Sequence, residues 1–262
     1  DMLCVSISST DAISHNTGTW FSPGKENEEV FLTLDRDLKK FFKALDAQVG
    51  KDGYLLFLTA DHGGTHNPNT VKAHKLPGGY TDVKAEIDTV NVALSKQFGV
   101  EGKYICNEIC NSLYIDRNFL AQNNLCFDKV KAAAINEFKK KSETFPFVID
   151  NENAAIAPVP QWIRERVVNG YYRGRTGDIT LMVRPDYFSF KVKDDYFGAQ
   201  HGAWPHADTH IPLVFMGWHI KPGKTHKLTY MVDTAPTVCA LLNIEAPSAS
   251  IGNPIVEVVD QK

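Results

Sequence analysis

No apolar run in the sequence approaches the roughly 20 residues needed to span a bilayer, so no membrane segment is expected. Neither charge is in excess. With 28 basic and 31 acidic residues the formal net charge is −3, which leaves no footprint for nucleic acid or an anionic membrane. Cysteine is sparse: Cys4, Cys106, Cys110, Cys126 and Cys239 are too few for a disulfide scaffold, and one of the five must stay unpaired. The Cys106-x3-Cys110 spacing matches no common zinc motif. A GxSxG elbow, a GxxxxGK[ST] phosphate cradle and internal repeats are all missing. Asp1 runs without cap or targeting segment into Met2-Leu3-Cys4-Val5-Ser6-Ile7-Ser8, a buried-strand pattern. Complete domains seldom open in mid-sheet, so the expectation is the later part of a longer chain, incomplete at its amino-terminal side.

What is present suffices for a full-sized core, since 43% of 262 residues are hydrophobic. The informative stretch is Tyr54 to His66, YLLFLTADHGGTH. Its apolar run from Tyr54 to Leu58 lacks alternation and reads as a central strand buried on both faces. The strand delivers Asp61 and His62 at its carboxyl end, where open α/β sheets place their ligands. Gly63 and Gly64 behind them permit a sharp turn and close approach.

The pattern along the chain predicts an α/β fold with a mostly parallel central sheet flanked by helices and carrying an inserted subdomain. The amphipathic segment Glu28 to Gln48 is a helix packed on the sheet, preceded by a turn-rich loop through Pro23-Gly24. With the strands on either side it forms a βαβ unit. Residues 67 to 79 read as a loop, Thr81 to Phe98 as a second amphipathic helix, Tyr104–Cys106 and Ser112–Ile115 as short strands, and Phe127 to Lys141 as a helix. Further strands are expected at 145–149, 178–185, 186–193 and 211–217, a helix at 161–169, and another after Asp233 as N-cap. This divides the chain into a first part of the core at 1–66, an inserted or accessory region at 67–177, and a second part of the core at 178–262.

Three separated places offer metal ligands. Asp11 and His15 share a face if Asp11 begins a helical turn; Asp61 and His62 end the central strand; and His201, His206 and His210 crowd the loop before the last strand. Carboxylate and imidazole without thiolate suit zinc first, with Mg2+, Mn2+ or Ca2+ in place of one ion as alternatives. Gathered on one sheet edge, such residues could hold two ions about 4 Å apart, the arrangement for in-line displacement at phosphorus. On the residues alone, His206 and His210 stay open as ligands beside His201. His66, His206 and His210 are candidates for supporting positions around the ions.

The motifs SSTDAISH, FLTADHGGTHNPN, QHGAWPHADTHIPLVFMGW and VDTAPTVCALLNIEAPSASIGNPI resemble the alkaline phosphatase superfamily. The likeness is closest to its bacterial threonine-nucleophile phosphatases, near the nucleotide pyrophosphatase/phosphodiesterase branch. The resemblance implies that Asp11, His15 and His201 hold one zinc and that Asp61 and His62 supply half the shell of a second. It favours His201 because Gly202 follows it and Gly217 stands sixteen residues later. It implies phosphomonoester hydrolysis, with a nucleophile expected upstream of this chain; Ser8, Ser9 and Thr10 read as strand-end residues. A phosphodiesterase of the same superfamily and a catalytically silent metal-binding fragment are the alternatives. The implied partners are a small-molecule phosphate ester and the amino-terminal half of the same enzyme, in a periplasmic or secreted location.

Overall fold

The computed structural model describes residues 1–19, 25–191, 193–202 and 204–260; the turn expected at Pro23-Gly24 lies outside the described residues. The chain divides into two compact units, Asp1–Val30 with His62–His210, and Phe31–Asp61 with Ile211–Lys262. In this division the segment 67–177 falls in one unit with the first thirty residues and with the loop that carries His201.

The first unit is built on a four-stranded antiparallel sheet in the order β3-β4-β6-β5, from β3 (Ile105–Ile109), β4 (Ser112–Ile115), β5 (Phe147–Asp150) and β6 (Ile179–Met182). Alternation along the strands gives each face its own core. Val148, Ile179 and Leu181 face a cluster with Val90 and Leu94 of α4 (Val83–Phe98) and Val130, Ala134 and Phe138 of α6 (Phe127–Lys139). Phe147, Ile149 and Met182 face the opposite cluster, with Ile163 and Val167 of α7 (Gln161–Gly170) and Trp204. Helices therefore cover both faces of this sheet. Each fully buried side chain of this size stabilises the fold by about 1.5–3 kcal/mol.

Short elements complete the unit: α1 (Ser9–Thr17), α3 (Pro68–Ala73), β2 (Gly79–Tyr80), α5 (Arg117–Gln122), β7 (Tyr187–Phe188) and α8 (His206–Thr209). Helix α3 lies where a loop was expected. Asn67 starts it by accepting a hydrogen bond from the Asn69 amide at 2.8 Å, with Pro68 in the first helical position.

The second unit pairs β1 (Leu55–Thr59) with β8 (Leu213–Gly217), and carries most of α2 (Glu26–Val49) together with α9 (Thr234–Leu242) and α10 (Val256–Val259). The α/β class holds, but the strand pairing differs from a mostly parallel sheet. β1 and β8 run antiparallel, as does the four-stranded sheet, and the two-residue pair β2–β7 is the parallel one among the described residues. β1 is also not the central strand buried on both faces that its apolar run suggested, because among the described residues it pairs with β8 alone and Phe57 is exposed; an apolar run reports a preference for burial, not the neighbours that would supply it.

The expected strand Met2–Ser8 is not formed. Met2 and Leu3 are 82% and 71% exposed, and the chain first becomes regular at Ser9, so Ser9 and Thr10 open α1 rather than end a strand. Without that strand the expected βαβ unit is also missing. The apolar stripe of α2 is half-exposed, and Phe31 and Leu32 are exposed. Asp233 stands at the N-cap position of α9 but makes no side-chain cap. Its carboxylate instead accepts from the amides of Tyr230 at 2.8 Å and Asn253 at 2.9 Å.

Candidate metal centre

Helix α1 sets Asp11 and His15 one turn apart on the same face, with His15 Nε2 3.4 Å from Asp11 Oδ1. The same oxygen lies 3.7 Å from His201 Nε2 and 4.0 Å from His62 Nε2. One carboxylate oxygen thus faces three imidazole nitrogens brought from three places in the sequence. The atoms offered by Asp11, His15 and His201 all lie within 4.8 Å of one another. The rings of His62 and His201 stack with centroids 3.5 Å apart and 11° between planes, and His15 is tilted at 5.0 Å from His201.

The outer nitrogens of two rings are fixed by main chain. His15 Nδ1 lies 3.0 Å from the Ala199 carbonyl and His62 Nδ1 2.8 Å from the Gly63 carbonyl. A carbonyl oxygen only accepts, so in both rings Nδ1 carries a hydrogen, and Nε2 is the atom turned toward Asp11. The side chains of Asp11 and His201 are 42% and 34% exposed, which leaves the cluster open to solvent.

A tetrahedral zinc with arms of 2.0–2.1 Å needs neighbouring ligand atoms about 3.3 Å apart. The separations from Asp11 to His15 and His201 approach that value, and a nitrogen and oxygen donor set without sulfur suits the same metal. The residues present fit the ion.

The other sequence candidates are not among the atoms grouped with Asp11, His15 and His201. Asp61 belongs to the second unit and is exposed. The His66 ring is hydrogen-bonded to the Thr19 hydroxyl. His206 opens α8 and packs its ring 5.5 Å from that of Trp162, and His210 is exposed at the end of that helix. Neither His206 nor His210 is among the grouped ligand atoms.

Of the residues that hold the ligands in place, Gly63 and Gly64 were expected to permit a sharp turn and close approach, and Asn67 was not singled out. The backbone amides of Gly63 and Gly64 donate to the carbonyls of Asp208 (2.7 Å) and Ala207 (3.0 Å), docking α8 beside His62. A Cβ on Gly63 would meet the Ala207 oxygen at 2.1 Å, so glycine is required there. Asn67, fully buried, donates to the Gly198 carbonyl at 2.9 Å. The buried asparagine of HNPN was the available signal, and it was visible only as part of a turn.

Residues 1–204 match the family described as type I phosphodiesterase / nucleotide pyrophosphatase. The chain belongs to that family. Within the alkaline phosphatase superfamily, PafA of Elizabethkingia meningoseptica, an alkaline phosphatase, is 40% identical over 262 residues, covering 99% of this chain and 46% of that protein. A protein of Myroides odoratus named calcium-transporting ATPase is 42% identical over 262 residues, 100% of this chain and 46% of its own. The crystal structure of wild-type PafA has a TM-score of 0.85 at 38% identity, over 96% of this chain and 46% of that one. Murine ectonucleotide pyrophosphatase / phosphodiesterase 5 shares the fold, with a TM-score of 0.63 at 17% identity over 96% of this chain and 56% of that one. The chain spans about half the length of the curated relatives it matches. Among the described residues no helix is long and apolar enough to cross a membrane.

Proposed function

We propose that this chain supplies the metal-holding share of a phosphate-ester hydrolase of alkaline phosphatase type. The observation that carries the reading is the single Asp11 oxygen facing the Nε2 atoms of His15, His62 and His201 within 4.0 Å. In this reading Asp11, His15 and His201 hold one zinc, and Asp61 and His62 contribute to a second. Bound zinc supplies Lewis acidity toward a phosphoryl oxygen and counter-charge for the transferring group.

The chain's own residues bind and orient. The Asp11 carboxylate offsets cationic charge, and the carbonyls of Ala199 and Gly63 fix two imidazole tautomers. The stacked pair His62 and His201 keeps both rings in one orientation. The nucleophile is assigned to the half of the enzyme outside these 262 residues.

That half is also the proposed partner. It would cover Met2, Leu3 and Val5 and the open ribbon of β1 and β8, where Phe57 and Val214 are exposed. A periplasmic or secreted location follows the family resemblance. The segment 67–177 is read as accessory to the core. The family description gives a second reading, a phosphodiesterase acting on the same ions.

The test is turnover of an aryl phosphate and of a bis-aryl phosphate with added zinc, by this chain and by the full-length protein. Monoester turnover by the full-length protein alone is expected. Preference for the diester would select the second reading, and no turnover of either ester by either protein would defeat the assignment.

A further inference from the structure

Tyr196 joins the three segments that carry the clustered histidines. Its hydroxyl donates to the His15 carbonyl at 3.1 Å and accepts from Gln200 Nε2 at 2.9 Å. His15 lies in the last turn of α1, where carbonyls have no N–H of their own helix to accept from, so Tyr196 supplies the missing donor. Gln200 immediately precedes His201. Its backbone pairs with Thr65, with Thr65 N–H to the Gln200 carbonyl at 2.7 Å and Gln200 N–H to the Thr65 carbonyl at 3.3 Å. Thr65 ends the short segment that begins at His62. One phenol therefore ties the His15 helix to a loop that is itself tied to the His62 segment.

The surroundings are shaped for this contact. A Cβ on Gly198 would lie 1.8 Å from the His15 oxygen and 2.5 Å from the Tyr196 hydroxyl, so only glycine lets the two meet. Asn69 Nδ2 donates to the carbonyls of Lys193 at 2.9 Å and Tyr196 at 3.0 Å, and Asn67 holds the Gly198 carbonyl. Two residues before His201, Ala199 donates its N–H to the Ser14 carbonyl at 2.8 Å and offers its own carbonyl to His15 Nδ1. Movement of this loop would displace His201 and release the His15 tautomer together.

We infer that Tyr196, with Gln200, is a positioning residue for the metal centre: it fixes His15 and His201 relative to one another without touching the ion. The inference rests on the metal-site reading above. Residues of this kind change metal affinity by about 10–100-fold when they are removed.

The test is Tyr196→Phe, which deletes only the hydroxyl, with Gln200→Leu as a second variant that removes only the donor to it. Zn2+ affinity by chelator competition should fall about 10-fold in Tyr196→Phe and in the same direction, by less, in Gln200→Leu. The visible spectrum of the Co2+-loaded variant should change, while the melting point of the metal-free protein stays within about 2 °C of the parent. In the metal-free protein, the ring 15N shifts of His15 should show loss of the Nδ1–H tautomer.

Unchanged affinity, cobalt spectrum and tautomer would overturn the inference. So would an affinity loss matched by a large drop in metal-free stability. If the parent takes up neither metal, the metal-site reading fails, and the His15 tautomer in the metal-free variants still decides the clamp. Should Tyr196→Phe fail to fold, Gln200→Leu decides by the same measurements.

Discussion

Asp11 Oδ1 and His201 Nε2 stand 3.7 Å apart although one lies in the first helix and the other just before the last strand. His15 and His62 approach the same oxygen. Replacing Asp11 by Asn keeps the shape of the side chain and removes the charge that the three imidazoles share. Zinc affinity by chelator competition should fall by more than the roughly 10–100-fold typical of supporting residues, with the far-ultraviolet circular dichroism unchanged. Affinity within threefold of the parent would remove Asp11 from the ligand set.

Metal removal should lower stability, because an ion bound only by the folded protein stabilises it by mass action. At a free zinc concentration one hundredfold above Kd the gain is about 2.7 kcal/mol, which for a unit of this size is a shift of about 5–10 °C. Thermal melts with zinc and with excess chelator measure it. Identical melting points would mean that the cluster holds no ion in the folded protein.

Local geometry was more legible than strand pairing. The spacing of Asp11 and His15 is a local property, visible as soon as a helix is assumed there, and α1 from Ser9 to Thr17 supplies it. The run at Tyr54–Leu58 became β1, and the amphipathic segments became α2, α4 and α6 within a few residues. Pairing direction was hidden, since the antiparallel match of Leu55 with Gly217 depends on where a distant segment arrives. Met2 to Ile7 read as a buried strand because hydrophobicity reports a preference for burial, and burial needs a neighbour that the sequence pattern does not name. Tyr196 was unreadable for a related reason: its role lies in reaching a carbonyl on a helix far away along the chain.

The exposed ribbon separates two states of the protein. Phe57 and Val214 are 39% and 48% exposed, so Phe57→Ser with Val214→Ser should cost this chain under about 1 kcal/mol by urea denaturation, chiefly the lost Phe57–Phe215 cross-strand contact. In the full-length protein, where the proposed partner half buries these residues, the same pair should cost about 3 kcal/mol or more. Equal small costs in both proteins would show that the ribbon stays open.

Lys131 is 5% exposed, with Nζ 3.0 Å from Asp150 Oδ1 and 3.4 Å from Glu152 Oε2. Burial pushes its pKa down, but the hydrogen bonds and charges of Asp150 and Glu152 outweigh burial, and the ammonium titrates above the ordinary lysine value of 10.5. A folded pKa above the unfolded one stabilises the protein fully below pH 10.5, and that contribution disappears as pH rises through the folded value. Near neutral pH, Lys131→Met should cost about 1.5–3 kcal/mol, the usual worth of hydrogen bonds to charged groups, because Asp150 loses its ammonium partner in a half-buried setting. Between neutral pH and 10.5 the gap in unfolding free energy between parent and variant should hold, and it should narrow as pH rises from there through the folded pKa. A gap that stayed constant to the highest pH at which both proteins fold would show that Lys131 stabilises through its methylene packing rather than its charge.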